Sequence, residues 1–399
     1  MPVSRRSFLG ALRPNAAAVA PAFVAARGRE ALIAMGHANP DPPAPSAILL
    51  DSNENPLGPG PVAMEALSRA LADSGRYPTN SRTTAADLRG AIARRVSVAP
   101  GNVALGAGSW EILRTAVRLY TSSARHLVTA APSYEGPERM AAQLGVGVQR
   151  VPVDRDGRLD LARMAEAARW AGLVFVCNPN NPTGTVHSAA AIAEFVARVA
   201  RESPDTAVLI DEAYHDYVTD PGYATAVPLA LLRSNVIVSR TLSKAYGLAG
   251  MRVGYAIAQP RTIESFNRWA MKYNTNTLAV AAAIASLDDA AHIEAERERN
   301  AHARAFTSGV FGHLGCRVMD SQTNFVFVET GCPAAEFKEA CAKRGVLVGR
   351  EFPPLERVHA RVSVGTIEEM QQASLVFGEV IGAHRSGAVE ASPVSGGHP

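Results

Sequence analysis

The sequence has few cysteines for its length, four in 399 residues, and no two of them form a Cys-x-x-Cys pair. Four cysteines are too few to stabilise so long a chain through disulfide bonds, which excludes a disulfide scaffold. The sequence likewise gives no support for a metal site, because its cysteines lack the clustered spacing of metal ligands. We therefore predict reduced, structural roles for Cys177, Cys316, Cys332 and Cys341.

The sequence also lacks an excess of charge of either sign. Lysine plus arginine total 40 against 37 acidic residues, for a net charge of +3. This near balance argues against a nucleic-acid partner or stable membrane association. Beyond the N-terminus, no stretch of the sequence is long and apolar enough to predict a transmembrane helix. A globular composition, 47% hydrophobic, remains in a chain long enough for two domains.

The first 35 residues are typical of a leader. Arg5 and Arg6 precede Phe8, and a weakly apolar stretch follows, which resembles a twin-arginine export signal. A disordered alanine-rich leader is the alternative, so a periplasmic or exported location and a cytoplasmic one both remain open. Residues 36–75 are predicted to form an extended arm and the start of a small domain.

Between residues 76 and 280, apolar strands alternate with amphipathic helices. This pattern predicts a large α/β domain with a mostly parallel, helix-covered sheet of the seven-stranded type. Residues 281–385 are predicted to form a smaller α+β domain. A long charged helix over 278–309, with Glu/Arg pairs four residues apart, is predicted to lead into it. The tail, 386–399, is predicted to be disordered.

The β-branched run at 236–238 predicts a buried strand, and Lys244 follows it in a turn of small residues. Ligands of open α/β sheets bind at the carboxyl ends of strands, so Lys244 stands where a cofactor would lie. A surface lysine in a flexible loop is the alternative.

Four further stretches follow predicted strands and supply complementary chemistry. Asp211 could ion-pair with a pyridine nitrogen, and the amide of Asn181 could donate to a phenolate oxygen. The small-residue stretch at 106–109 opens a helix and could hold a phosphate, and Tyr134 could stack on a ring. Taken singly, these features could be a turn cap, an Asn-Pro turn, a glycine loop and a packing tyrosine. Together they favour a site for pyridoxal 5'-phosphate (PLP).

From about residue 51 to 384 the chain resembles the fold-type I PLP-dependent enzymes of the class I/II aminotransferases, most closely the histidinol-phosphate aminotransferase group. The resemblance rests on Ser52-Asn-Glu-Asn-Pro-Leu-Gly58, Asn181-Pro-Thr-Gly184, Asp211-Glu-Ala-Tyr214, Thr241-Leu-Ser-Lys244, Gly247-Leu-Ala-Gly-Met-Arg252 and Arg361-Val-Ser-Val-Gly365. It implies a homodimer that moves an amino group between an amino acid, or a histidinol-phosphate-like amine, and a 2-oxo acid.

The resemblance also implies a role for each matching residue. Lys244 would form a Schiff base with the cofactor, Asp211 would pair with its pyridine nitrogen, and Asn181 and Tyr214 would hold its ring oxygen. Tyr134 would stack on the ring. The cofactor phosphate would be bound by Gly108, Ser109, Trp110, Ser243, Arg252 and, from the other subunit, Tyr77. The substrate would be held by Arg361, which clamps a carboxylate, together with Asn53, Asn181 and Arg350.

The chain departs from the family pattern at three places. The arm reads Gly36-His-Ala-Asn-Pro40 where a tyrosine is usual, and Gly349 displaces Arg350 by one position. Trp110 replaces an acidic residue. The first two departures predict that amino acids with aromatic or imidazole side chains are better substrates than histidinol phosphate. A decarboxylase or lyase on the same scaffold, and a non-catalytic ligand-sensing domain, are the alternative functions.

Overall fold

The structure, a computed structural model, describes residues 47–387. The predicted leader, the arm up to residue 46 and the tail from residue 388 lie outside the described residues, so the predictions made for them stay predictions. Within residues 47–387, no helix combines the length and apolar character needed to cross a bilayer.

The described residues contain twelve strands. They are β1 (Ile48–Leu50), β2 (Val103–Ala107), β3 (Leu127–Ala131), β4 (Val148–Pro152), β5 (Leu173–Cys177), β6 (Ala207–Asp211), β7 (Val236–Thr241), β8 (Val253–Ile257), β9 (Arg317–Val318), β10 (Phe325–Glu329), β11 (Val346–Val348) and β12 (His359–Ser363).

The same part of the chain contains twelve α-helices. They are α1 (Pro61–Ala70), α2 (Ala85–Arg95), α3 (Ser109–Tyr120), α4 (Gly136–Gln143), α5 (Leu161–Ala167), α6 (Ala189–Glu202), α7 (Val227–Leu232), α8 (Pro260–Trp269), α9 (Thr277–Asp288), α10 (Ala290–His313), α11 (Ala334–Ala342) and α12 (Ile367–Arg385).

A seven-stranded sheet in the order β2-β8-β7-β6-β5-β3-β4 forms the centre of the molecule. Strand β8 is antiparallel to both of its neighbours, and the other pairs are parallel. Alternate side chains of β5 enter opposite cores: Val174 and Val176 face one, and Phe175 faces the other. Both faces are buried, which explains why this strand is an unbroken apolar run. The predicted mostly parallel α/β sheet is confirmed.

A second set of strands lies over a separate core. Strand β10 pairs in antiparallel fashion with β12 and β9, and β1 pairs in parallel with β11. The core beneath them includes Leu50, Phe311, Phe337 and Phe377. Strand β1 falls within the predicted arm, and its pairing delivers the residues after it to the edge of the central sheet. The domain boundaries at 75/76 and 280/281 stay predictions.

The prediction of one charged helix over 278–309 is wrong. Asp289 separates α9 from α10 and caps α10 by accepting a hydrogen bond from the backbone N–H of His292 at 3.2 Å. The Glu/Arg pairs of α10 are three residues apart, Glu294 with Arg297 and Glu296 with Arg299. Helices α7 and α8 were not predicted, although each has a proline in its first turn, where proline favours a helix start.

Candidate active site

A cavity of about 460 Å³ opens at the carboxyl ends of β3, β5, β6 and β7. All the predicted site residues except Gly108 and Tyr77 line it. Those that do are Asn53, Ser109, Trp110, Tyr134, Asn181, Asp211, Tyr214, Ser243, Lys244, Arg252, Arg350 and Arg361. The motifs meet here because parallel strands end at the same sheet edge.

Lys244 lies in the turn after β7 with its amine partly buried. Its Nζ donates hydrogen bonds to the backbone carbonyls of Ser52, at 3.2 Å, and Asn53, at 3.0 Å. Burial, and then the positive charge of Arg361, lower the pKa of Lys244 to about 8. The positive charge of Arg252 is a smaller cause of the lowered pKa. An amine with this pKa is largely neutral just above pH 8 and can accept a proton.

Asp211 ends β6 and is 3% exposed. Burial raises its pKa to about 7, and its Oδ1 has no hydrogen-bond partner among the described residues. A buried carboxylate oxygen without a hydrogen-bond partner is destabilising unless a ligand donates the missing hydrogen bond. A protonated pyridine nitrogen would supply both the N–H donor and the positive charge, so Asp211 fits the predicted cofactor.

A hydrogen-bonded network connects the predicted ring-binding and substrate-binding residues. Tyr214 Oη accepts from Asn53 Nδ2 at 3.1 Å and from Asn181 Nδ2 at 3.4 Å. Arg361 Nη1 donates to Asn181 Oδ1 at 2.9 Å. Burial raises the pKa of Tyr214 and lowers that of Arg361 to about 10. The network holds one phenol, two amides and one cation in the wall of the cavity.

Gly108 and Arg252 form the predicted phosphate cradle. Gly108 has φ +75°, and a Cβ placed there would lie 2.2 Å from Arg252 Nη2, so only glycine lets the guanidinium approach. Arg252 Nη1 donates to Ser243 Oγ at 3.4 Å. Ser109 begins α3, whose N-terminal N–H groups and Arg252 suit an anionic phosphate.

Sequence reasoning assigned no role to two residues that shape this cradle. The carboxylate of Glu111 accepts from the N–H of Ala107 at 2.7 Å and from that of Met271 at 2.9 Å. A Cβ on Gly254 would lie 2.1 Å from the backbone nitrogen of Ser109. Glu111 links the loop to Met271, which is far away in the sequence, and Gly254 leaves room for the backbone of Ser109, so only the fold reveals either role.

Tyr134 and Trp110 form the aromatic wall of the cavity. A Cβ on Gly136 would lie 2.6 Å from the Tyr134 ring and 2.8 Å from the Trp110 ring, so both rings pack against this glycine. Trp110 is 39% exposed. It therefore lines the cavity instead of entering the core of the large domain.

The two arginines near the substrate position differ in their surroundings. Buried Arg361 has an Nε without a hydrogen-bond partner among the described residues. Arg350 is ion-paired with Glu135, and its guanidinium lies 4.1 Å from the Phe352 ring centroid. A Cβ on Gly349 would lie 2.7 Å from the Arg361 carbonyl oxygen, so glycine lets the two backbone segments approach closely.

Tyr77 is the predicted site residue that lies apart from the cavity. It is 67% exposed, and its ring centroid is 5.2 Å from that of Tyr273. The contact of Tyr77 with the cofactor phosphate of the other subunit stays a prediction. Other residues that line the cavity were not predicted from the sequence: Asp51, Ser52, Glu135, Cys177, Ala213, Thr241, Lys338 and Val348.

Comparison with known proteins identifies the family. The family model described as aminotransferase class I and II matches residues 45–375. The chain belongs to this family. It is 39% identical to the histidinol-phosphate aminotransferase of Moorella thermoacetica, across 75% of this chain and 77% of the relative. It is 38% identical to the aromatic amino acid aminotransferase of Nocardia farcinica, across 82% and 89% respectively.

A solved structure agrees with this result. The histidinol-phosphate aminotransferase from Sinorhizobium meliloti, in complex with pyridoxal-5'-phosphate, superposes with a TM-score of 0.77 at 29% identity, covering 96% of this chain and 99% of that one. The protein is a PLP-dependent aminotransferase. The predicted family, cofactor and activity are confirmed, and the comparisons favour neither the decarboxylase or lyase nor the ligand-sensing alternative.

Proposed function

We propose that this aminotransferase transfers the amino group of amino acids with aromatic or imidazole side chains to a 2-oxo acid. The observation that carries the proposal is the contrast between its two arginines. Arg361 lines the cavity without an acidic partner among the described residues, whereas Arg350 is already paired with Glu135. Arg361 is therefore available for a carboxylate, and the Trp110 and Tyr134 rings offer an apolar surface to a side chain.

Bound PLP supplies an electron sink that lowers the barrier to breaking bonds next to the amine nitrogen. The protein's residues orient the reactants around it. Arg361 presents a planar fork to the substrate carboxylate, which fixes the direction of the side chain. Lys244 Nζ accepts a proton in its neutral form, and its pKa of about 8 makes that form accessible near neutral pH. Asp211 contributes the negative charge opposite the pyridine nitrogen.

The substrate proposal is tested with donor amines. We expect kcat/KM with 2-oxoglutarate as acceptor to be higher for phenylalanine and histidine than for histidinol phosphate by about 10²-fold, because missing charged contacts to a distal phosphate cost about 1.5–3 kcal/mol each. Stopped-flow measurement of PLP converting to its amine form gives the rate for each donor. A clear preference for histidinol phosphate would overturn this proposal and assign that amine as the substrate.

We further propose a homodimer in which Tyr77 acts on the cofactor phosphate of the other subunit. Tyr77 contacts the Tyr273 ring, and nearby Met271 is 58% exposed, so apolar side chains cluster at this surface. Such a patch supports burial against a second copy. It also supports a role for Tyr77 in the active site of the second copy.

Mixing subunits tests the dimer. Tyr77→Ala and Lys244→Ala proteins should each be impaired alone, but their mixture should recover up to about a quarter of the wild-type activity per site, because one hybrid site in each mixed dimer contains both native residues. Light scattering verifies the dimer, and mass spectrometry of isotope-labelled subunits verifies exchange. If exchange is complete and no activity returns, Tyr77 does not act in trans.

A further inference from the structure

A second cavity, of about 640 Å³, adjoins the one that contains Lys244. The two cavities share Tyr134, Glu135 and Arg350 in their walls. The second is bordered by Phe352, three prolines and charged residues that include Glu138 and Arg150. A substrate side chain that extends past Tyr134 therefore meets the Glu135–Arg350 ion pair at the boundary.

Both partners of this pair are held in place. One carboxylate oxygen of Glu135 accepts from Arg350 Nη2, and the other lies 3.3 Å from Arg139 Nη2. Arg350 also donates from Nη1 to the carbonyl of Glu351 at 3.3 Å and packs on the Phe352 ring. Glu135 immediately precedes α4, and Arg350 follows β11, so each is fixed by a separate element of the fold.

The charge of Glu135 determines what Arg350 can bind. An anionic group at the distal end of a substrate is attracted by the guanidinium, but it must displace the Glu135 carboxylate and is repelled by it. The pair is only partly buried, so solvent weakens both effects without cancelling them. An uncharged distal group meets neither effect.

We propose that Glu135 is a positioning residue which, by holding Arg350 as its counter-ion, makes the site discriminate against substrates with an anionic distal group. The inference rests on the proposed function, because it concerns which amines the same site accepts. It assigns the discrimination to one carboxylate that is not part of any motif by which the family was recognised.

Glu135→Gln removes the charge and keeps the size of the side chain. The measurement is the ratio of kcat/KM for histidinol phosphate to kcat/KM for histidinol, two donors that differ only in the phosphate. We expect the variant to raise this ratio by about fivefold, through a lower KM for the phosphorylated donor. The ratio for glutamate over glutamine tests a distal carboxylate in the same way and separates it from a response specific to phosphate.

Two further variants show whether the effect passes through Arg350. Glu138→Gln is the matched control, since Glu138 is an ion-paired carboxylate on the neighbouring helix that lines only the second cavity. It should leave both ratios within about twofold of wild type. Adding Arg350→Met to Glu135→Gln should remove the gain. A gain that survives this second substitution, or an equal gain in Glu138→Gln, would show a general charge effect and overturn the role of Glu135.

The outcomes separate this inference from the proposed function. Ratios that stay constant in Glu135→Gln, while the protein still converts PLP to its amine form with phenylalanine, overturn the role of Glu135 alone. If the wild-type protein prefers histidinol phosphate over phenylalanine, the proposed substrate is overturned. If Glu135→Gln then still raises the ratio of kcat/KM for histidinol phosphate to that for histidinol, the role of Glu135 as the counter-ion of Arg350 stands.

Discussion

Replacing Lys244 with alanine is expected to abolish the covalent attachment of PLP and to lower turnover by about 10²- to 10⁴-fold from the lost proton transfer alone. Nζ is both the nucleophile that binds the cofactor and the group that takes up the substrate proton. Its amine is also partly buried, and its pKa is lowered to about 8, so part of the population is neutral and able to accept a proton near neutral pH.

Absorbance of the cofactor and borohydride reduction with peptide mapping measure this result. The label should appear on Lys244. The other lysines of the sequence are Lys272, Lys338 and Lys343. Lys338 is the matched control because it lines the same cavity, and Lys338→Ala should keep the covalent link to the cofactor. A label on any lysine but Lys244 would refute the assignment.

Replacing Asp211 with asparagine is expected to lower kcat by about 10²-fold or more, because an amide lacks the charge that holds the pyridine nitrogen protonated. PLP should still bind, since the phosphate cradle around Gly108 and Arg252 is unaffected. Full activity of the variant with phenylalanine would exclude this role.

The same substitution should stabilise the cofactor-free protein. Folding raises the pKa of Asp211 from 3.8 to about 7, so the folded protein binds this proton more tightly than the unfolded chain does. Ionised Asp211 therefore lowers the free energy of unfolding progressively as pH rises from 4 to 7 and by a constant amount above that, on the order of 4 kcal/mol at most.

Urea unfolding of cofactor-free wild type and Asp211→Asn at pH 5 and pH 8 measures this difference. The variant should be more stable than wild type, and the gap should be larger at pH 8. If the difference in the free energy of unfolding between the variant and wild type becomes smaller as pH rises, Asp211 is not destabilised by burial in its ionised form. Lower kcat and higher stability in the same variant would show that Asp211 destabilises the cofactor-free protein and is needed for activity with PLP.

Local patterns predicted most of the central fold. The apolar run at 173–177 predicts a strand with the observed bounds, because burial on both faces leaves an unbroken apolar run that differs from the flanking turns. The helix that opens at Ser109 was placed to within one residue, because glycines mark its start. Strand β1 was missed, since three residues have no period of their own and are ordered only by pairing with β11.

The sequence by itself determined the family, the cofactor and most of the residues around the cavity, because most of those residues lie in contiguous motifs at or near strand ends. Only the tertiary structure decided how they act on one another. The pairing of Glu135 with Arg350, the closeness of Gly349 to Arg361 and the unpartnered oxygen of Asp211 each depend on segments far apart in the chain. Charge pairing and burial are properties of distances in space, and no local pattern of residues records those distances.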